Sequence, residues 1–89
     1  MRSRKKGFVN LIGKKVEVVS HSNDSLVGFS GIILYESENL IELRLDSGKI
    51  VKIPKNDVIL KVFYNDGKSY KIFSYGDIKG SIVRRLIRL

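Results

Sequence analysis

The chain has 89 residues, which is enough for one small domain and leaves no room for a second hydrophobic core. It contains no cysteine, so disulfides and thiolate metal sites are excluded, and from the lack of a long apolar stretch we expect neither a secretory signal nor a membrane span. Its net charge of +8 favours a polyanionic partner such as nucleic acid, although an acidic protein, an anionic membrane or simple solubility would also fit.

The composition favours an all-β core before any periodicity is considered. Ala, Gln, Thr and Trp are absent, and Ile and Val together supply 20 residues, which prefer the pleated surface of a sheet. Alternating or continuous apolar runs predict six strands, at residues 15–20, 29–36, 40–45, 49–53, 58–64 and 68–75. Because the run at residues 32–35 is unbroken, we expect both of its faces to be covered.

Short polar clusters and glycines separate these strands. Residues 37–39, 46–48 and 65–67 are typical of tight turns, and Gly28 and Gly31 allow the backbone to bend or to approach a neighbour closely. Six short strands with brief turns predict a small antiparallel barrel.

The two ends of the chain differ from the strand region. Residues 1–10 are predicted to be a basic arm, and residues 11–89 the folded domain. The apolar spacing at residues 8–13 predicts one helical turn over an open end of the sheet, and that at residues 80–89 predicts a short amphipathic helix.

No set of residues in the sequence predicts catalysis by this chain alone. The only histidine, His21, lies in a polar loop and is expected to be solvated. Glu36, Glu38 and Glu42 are expected to belong to a solvated turn, because no ordered set of oxygen ligands follows them. Gly13 lacks the glycine-rich loop that a phosphate cradle needs. We therefore expect no catalytic residue and no bound metal or cofactor in this chain.

The basic side chains are the candidate RNA contacts, since Arg recognises phosphate through two parallel hydrogen bonds and Lys acts as a point charge. They lie on the arm, on or beside strands, and in the predicted C-terminal helix: Arg4, Lys5, Lys6, Lys14, Lys15, Arg44, Lys52, Lys55, Arg84, Arg85 and Arg88. Four tyrosines at positions 35, 64, 70 and 75 could stack on unpaired bases, but strand aromatics more often lie in the core. Without a clustered aromatic platform, we expect readout of RNA shape and backbone.

Several segments, in their order and spacing, resemble a known family. They are LIGKKVEVV at residues 11–19, SLVG at 25–28, GII at 31–33, NL at 39–40, and IPK at 53–55 followed by Val58. Together they are similar to component 1 of archaeal ribonuclease P, a subunit that archaea share with eukaryotes. The resemblance covers about residues 11–88.

The resemblance implies an Sm-like or SH3-like barrel of about six strands with short terminal helices. It also implies a role in the cytoplasmic ribonucleoprotein that removes the 5′ leader from precursor tRNA. There the RNA performs Mg²⁺-dependent hydrolysis, so the chain would belong to an endoribonuclease without supplying catalytic residues. The implied partners are the ribonuclease P RNA, a small zinc-binding protein subunit and other holoenzyme proteins, with precursor tRNA contacted indirectly and no membrane.

Two alternatives remain open from the residues themselves. One is an Sm-type or translation-associated RNA-binding barrel that assembles into a ring. The other is a protein–protein adaptor that binds through an exposed strand and uses its charge only for steering.

Overall fold

The computed structural model describes residues 10–80, which form six antiparallel strands in one sheet followed by a short helix. Each predicted strand is confirmed to within two residues at either end. A 3₁₀ turn, Asp24–Leu26, separates the first two strands. The elements are β1 (Lys15–Ser20), β2 (Ser30–Glu36), β3 (Leu40–Leu45), β4 (Ile50–Pro54), β5 (Ile59–Phe63), β6 (Tyr70–Ser74) and α1 (Tyr75–Ile78).

Strict alternation of apolar and polar residues decides which face of each strand is buried. Along β3, Ile41 and Leu43 are fully buried, while Arg44 on the opposite face is exposed. The same period of two places Leu60 and Val62 of β5 in the core. The inner face of the sheet therefore carries the core, and its outer face carries most of the charged side chains.

The sheet is strongly curved, and its connections show why. Its strand order is β4-β3-β2-β1-β5-β6, so β4 and β5 are four positions apart although only residues 55–58 connect them. In a flat sheet, four spacings would separate these strands by about 19 Å. The connection is not extended, because Val58 N–H donates to the Lys55 carbonyl 3.1 Å away. The sheet must therefore curl so that the ends of β4 and β5 come together.

The curl does not close into a complete barrel among the described residues. The two outermost strands, β4 and β6, are each paired on one side only. The predicted all-β class is confirmed, whereas the predicted closed barrel is wrong for this part of the chain. The physical reason is that β6 extends the sheet beyond β5, while β4 ends at Pro54, which has no N–H to donate to another strand.

Two bulges reverse the alternation of side chains within strands. In β2, Ile33 lies opposite Leu43 but Tyr35 lies opposite Glu42, which leaves Leu34 as an extra residue. Beyond this bulge Tyr35 points outward and Glu36 points into the core. The expectation that both faces of residues 32–35 are covered is therefore wrong, since Leu34 is 40% exposed and Tyr35 is 52% exposed.

A second irregularity, in β1 at Val19, precedes a buried histidine. His21 was expected to be solvated, but it is only 8% exposed. Its Nδ1 accepts the backbone N–H of Asn23 at 2.9 Å, so its Nε2 carries the proton and donates to the Pro54 carbonyl at 2.8 Å. His21 thus fastens the end of β1 to the end of β4 and contributes to the curl.

One glycine is required by a close approach of two strands. A Cβ on Gly31 would lie within 3.0 Å of the Arg44 carbonyl oxygen, closer than real Cβ atoms approach backbone. The prediction that a side chain would clash at this position is confirmed. Gly28, by contrast, is needed for its backbone conformation, with φ of +96°.

The chain ends were only partly predicted. Leu11 and Lys14 close a β-turn, in which the Lys14 N–H donates to the Leu11 carbonyl, so this part of the segment at residues 8–13 is not the helical turn expected. The described helix α1 occupies residues expected to end β6 or to follow it. The predicted arm up to residue 9 and the predicted C-terminal helix beyond Gly80 lie outside the described residues.

Candidate nucleic-acid interface

The excess positive charge is concentrated at the two ends of the sequence. Residues 10–80 contain ten Lys and Arg against nine Asp and Glu, a net charge of +1, and all nine acids of the chain lie there. The remaining seven basic residues lie before residue 10 or after residue 80. The sheet is therefore almost neutral as a whole, and any cationic surface on it depends on where its lysines and its arginine are placed.

Pairing of the strands brings two basic side chains into one line on the outer face. Lys15 of β1 lies opposite Ile32 of β2, Ile32 lies opposite Arg44 of β3, and Arg44 lies opposite Ile50 of β4. We call these four residues the basic row. Directly opposed side chains have their Cβ atoms about 4.5–5.5 Å apart. No acid lies opposite Lys15 or Arg44 in this register, so both cations face solvent beside aliphatic neighbours.

Other outer-face lysines are balanced by acids across the sheet. Lys52 lies directly opposite Glu42, and Lys61 lies directly opposite Glu17. Opposite charges at such positions attract one another and reduce the local positive potential. Lys52 is exposed, as predicted for an RNA contact, but it offers a weaker field than the cations of the basic row.

Lys55 does not lie where an RNA-binding side chain must lie. It is 0% exposed, and its Nζ donates to Glu36 Oε2 at 2.7 Å and to the carbonyls of Ile78 and Gly80 at 3.0 and 2.8 Å. The prediction that Lys55 contacts RNA is therefore wrong, because its ammonium group is buried and donates its hydrogen bonds within the protein. The prediction failed because Lys55 follows a strand end, as surface lysines often do.

Glu36 is also buried, so the expectation that it belongs to a solvated turn is wrong. Its carboxylate forms the only ion pair among the described residues, and the side chains of both partners are 0% exposed. The bulge at Leu34 turns Glu36 inward, where an unpaired carboxylate would be very costly. The Glu36–Lys55 pair therefore connects the end of β2 to the connection between β4 and β5, and Lys55 also bonds to the carbonyls of Ile78 in α1 and of Gly80 after it.

A cleft lies beside the basic row, between the turn before β1 and the β5–β6 hairpin. It has a volume of about 420 Å³. We call it the hairpin cleft. Its lining combines lysines, aromatic rings and small residues: Gly13, Lys14, Lys15, Ser30, Ile32, Phe63, Tyr64, Asn65 and Gly67.

Two aromatic side chains, Phe63 and Tyr64, line this cleft, and Tyr70 packs against Phe63 without lining it. The rings of Phe63 and Tyr70 are 6.0 Å apart and tilted by 60°, and Lys61 Nζ lies 4.5 Å from the centre of the Tyr70 ring. Tyr64 is 56% exposed. The signal that could have revealed the cluster is the turn at residues 65–67, because a hairpin there brings the flanking aromatics together.

The hairpin turn itself is rigidly built. Asp66 Oδ1 accepts the N–H groups of Lys68 and Ser69 at 2.9 and 2.8 Å, and Oδ2 accepts the Ser69 hydroxyl at 2.8 Å. These hydrogen bonds hold the pKa of the Asp66 carboxyl below its ordinary value, and the bond from the Lys68 backbone has the largest effect. The predicted turn is confirmed, with Gly67 at φ of +73°.

The remaining predicted contacts fall into two groups. Lys14 is exposed in the turn before β1 and lines the hairpin cleft. Arg4, Lys5, Lys6, Arg84, Arg85 and Arg88 lie outside the described residues.

Within residues 10–80, no group of three or more His, Cys, Asp or Glu side chains could hold a metal ion. None of the helices in that part of the chain is long and apolar enough to cross a membrane.

Together, the fold and this surface define a class of protein: a small all-β domain that presents cations and aromatic rings on the outer face of a curved sheet. The model of the family described as ribonuclease P/MRP, subunit p29, matches residues 7–84. The chain therefore belongs to this family, and the resemblance drawn from its sequence is confirmed.

Individual relatives agree with the family match. The chain is 44% identical over 57 residues to ribonuclease P protein component 1 of Methanococcus aeolicus, covering 63% of this chain and 59% of the relative. It is 33% identical over 61 residues to the protein of that name from Sulfurisphaera tokodaii, covering 68% of this chain and 78% of the relative. The match thus spans less than two thirds of the Methanococcus aeolicus protein.

A solved structure supports the fold. The structure of Mth11, described as a homologue of the human RNase P protein Rpp29, superposes with a TM-score of 0.59 at 21% identity, covering 75% of this chain and 85% of that one. The family assignment favours the ribonuclease P prediction over a ring-forming barrel or a protein adaptor.

Proposed function

We propose that this chain is a non-catalytic RNA-binding subunit of ribonuclease P, which supports the RNA that removes the 5′ leader from precursor tRNA. The observation that carries the proposal is the family match over residues 7–84. The placement of Lys14, Lys15 and Arg44 on an exposed face supports it, because cations in such positions neutralise phosphates.

In this proposal the protein acts by screening charge and holding shape. Folded RNA brings its own phosphates close together, and cations on a preformed surface reduce that repulsion. Bound protein would therefore lower the Mg²⁺ concentration that the RNA needs for its own chemistry. Lys52 remains a weaker candidate contact, since Glu42 lies opposite it.

We further propose that the chain pairs with a small zinc-binding protein subunit and acts with other holoenzyme proteins on the specificity region of the RNA. The two outermost strands support such pairing, because β4 and β6 are each hydrogen-bonded on one side only among the described residues. The proposed location is the cytoplasm, as expected for an RNA-processing enzyme in archaea such as those that supply the matched relatives.

Reconstitution tests this function. The cognate RNA is assayed for precursor-tRNA cleavage across a Mg²⁺ series, alone, with this protein, and with this protein plus the zinc-binding subunit. We expect the proteins to shift the required Mg²⁺ to lower concentration, and this protein alone to cleave nothing. An unchanged Mg²⁺ requirement together with no binding to the RNA would refute the proposal.

A matched pair of variants tests the basic row. Lys15→Ala/Arg44→Ala removes two charges from the row, while Lys49→Ala/Lys79→Ala removes two exposed charges elsewhere. We expect the first variant to weaken RNA binding more strongly at the same ionic strength. Equal losses would show that net charge matters and that the row is not a specific contact surface.

A further inference from the structure

Phosphate binding alone does not explain the aromatic side of the hairpin cleft. Phe63 and Tyr64 line the cleft, and Tyr64 is 56% exposed; Tyr70, which packs against Phe63, is 50% exposed but does not line it. Ligand sites are commonly clefts lined by apolar and aromatic side chains with a few polar groups. Lysine side chains suffice for phosphate, so these rings indicate a ligand that also has a flat apolar face.

The two tyrosines are not equally available to such a ligand. Lys61 Nζ already lies over the Tyr70 ring, and Phe63 packs against Tyr70 at a centroid distance of 6.0 Å. Tyr64 makes no ring contact of this kind in the described structure. Its backbone is nevertheless fixed, because its N–H donates to the Ser69 carbonyl and its carbonyl accepts the Gly67 N–H, both at 2.9 Å. Tyr64 therefore offers an open ring on a rigid hairpin.

The charge at the cleft selects an anionic ligand. Lys14 and Lys15 contribute to its lining, and no Asp or Glu does. The nearest acid on the hairpin, Asp66, directs both carboxylate oxygens to hydrogen bonds inside its own turn. An anion entering the hairpin cleft beside Tyr64 thus meets two ammonium groups, whereas Asp66 lines the adjoining cavity, which shares Lys14 and Tyr64 with the cleft.

The size of the cleft limits the ligand to a single nucleotide. A volume of about 420 Å³ lies within the usual range for small-molecule sites and admits one nucleotide, whereas a duplex cannot enter it. Bases inside an A-form helix are stacked on one another and present no free face. Only a nucleotide that is unpaired can place its base on Tyr64.

We propose that the hairpin cleft binds one unpaired ribonucleotide, with its base stacked on Tyr64 and its phosphate beside Lys14 and Lys15. This inference rests on the proposed RNA-binding function and refines it, since it assigns single-stranded readout to the β5–β6 hairpin. Stacking is tolerant of base identity because every base has a π-face, so the site distinguishes unpaired from paired nucleotides and does not select a sequence.

Binding measurements on the full chain test the site. Two RNA hairpins of equal length and charge are compared, one fully paired and one with a single bulged nucleotide that carries a fluorescent adenine analogue. The variants are Tyr64→Ala, Tyr64→Phe, and Tyr35→Ala as a control, since Tyr35 is 52% exposed but does not line the cleft. Thermal unfolding of each variant establishes that it is folded.

We expect Tyr64→Ala to bind the bulged hairpin about 5- to 150-fold more weakly, the range for one base–aromatic stack, and the paired hairpin as well as the unmodified protein does. Tyr64→Phe should retain binding, and Tyr35→Ala should change neither RNA. The fluorescence of the bulged base should be quenched by the unmodified protein and not by Tyr64→Ala.

Three results would overturn the site. One is an unchanged affinity of Tyr64→Ala for the bulged hairpin, and another is an equal loss for both hairpins. The third is an NMR contact from Phe8 or Val9 to Tyr64 that persists in saturating RNA, which would assign the cleft to the chain's own N-terminal segment. In each case a lowered Mg²⁺ requirement in the reconstitution with the cognate RNA would leave the proposed function standing, whereas an unchanged requirement with no binding to that RNA would refute both.

Discussion

The buried Glu36–Lys55 pair allows a quantitative test of the structure. Replacing Lys55 with Met keeps the length of the side chain and removes its charge. The buried Glu36 carboxylate would then lose the Lys55 ammonium 2.7 Å away, and the carbonyls of Ile78 and Gly80 would lose the hydrogen bonds that Lys55 donates. Breaking a buried pair in this way costs about 3–5 kcal/mol. For a small domain, whose free energy of unfolding is about 5–15 kcal/mol, this is a severe loss.

The double variant Glu36→Leu/Lys55→Met separates charge from packing. Replacing both partners with apolar side chains removes the buried carboxylate together with the ammonium, and such replacements are often neutral or stabilising. The carbonyls of Ile78 and Gly80 still lose the hydrogen bonds from Lys55, at about 1.5–3 kcal/mol for a hydrogen bond to a charged group. We therefore expect the double variant to be more stable than Lys55→Met but not to exceed the unmodified protein.

Urea unfolding followed by circular dichroism measures these differences. With a slope of about 1–3 kcal/mol per molar urea, a loss of 3 kcal/mol lowers the midpoint by at least about 1 M. The control is Lys52→Met, an exposed lysine on β4, which should change the stability by no more than about 0.5 kcal/mol. The reasoning is refuted if Lys55→Met costs under 1 kcal/mol, or if the double-mutant cycle shows no coupling between the two positions.

Three further predictions concern the fold and the RNA contacts. Gly31→Ala should destabilise the domain by about 1–3 kcal/mol, because β2 and β3 must separate to admit the new Cβ. The control is Gly76→Ala in α1, where a Cβ meets only the Ser74 hydroxyl at 3.8 Å, and it should be neutral or slightly stabilising. Equal effects of the two substitutions in thermal unfolding would contradict the close approach. At pH values above its ordinary pKa of 3.8, the Asp66 carboxylate stabilises the folded hairpin. Because its pKa in the folded protein is lower, that contribution to stability should disappear as the pH falls below 3.8, and Asp66→Asn should abolish this pH dependence. An NMR titration of Asp66 with its inflection at or above 3.8 would contradict the prediction. The last substitution replaces three C-terminal arginines, Arg84, Arg85 and Arg88, with Ala. It should flatten the slope of log affinity for RNA against log salt concentration by about 2–3, at roughly 0.7–0.9 per phosphate contact. An unchanged slope would show that these arginines do not contact RNA.

The strands could be predicted from the sequence because each one is specified locally. Alternation in β3 and the turn at residues 65–67 depend on neighbours within a few positions, and both were predicted correctly. These features need no knowledge of what lies opposite in the folded sheet.

The failures share a different cause, which is pairing between distant residues. Glu36 and Lys55 are 19 positions apart, and the bulge that turns Glu36 inward is visible only as a change of register between β2 and β3. His21 is buried because its ring reaches Pro54, 33 positions away. Polar residues in such long-range contacts look like surface residues to any argument based on local periodicity.

The distribution of charge changes how RNA binding by this chain must be understood. A net charge of +8 suggests a uniformly basic domain, but residues 10–80 carry only +1, and the excess resides in the terminal segments. The salt-dependent part of the affinity should therefore depend mainly on those segments, and the sheet should contribute position and selectivity through Lys15, Arg44 and the hairpin cleft. Variants at the two sites should accordingly differ in kind. Terminal substitutions should change the salt slope for all RNAs, whereas Tyr64→Ala should change the preference for unpaired nucleotides at a constant slope.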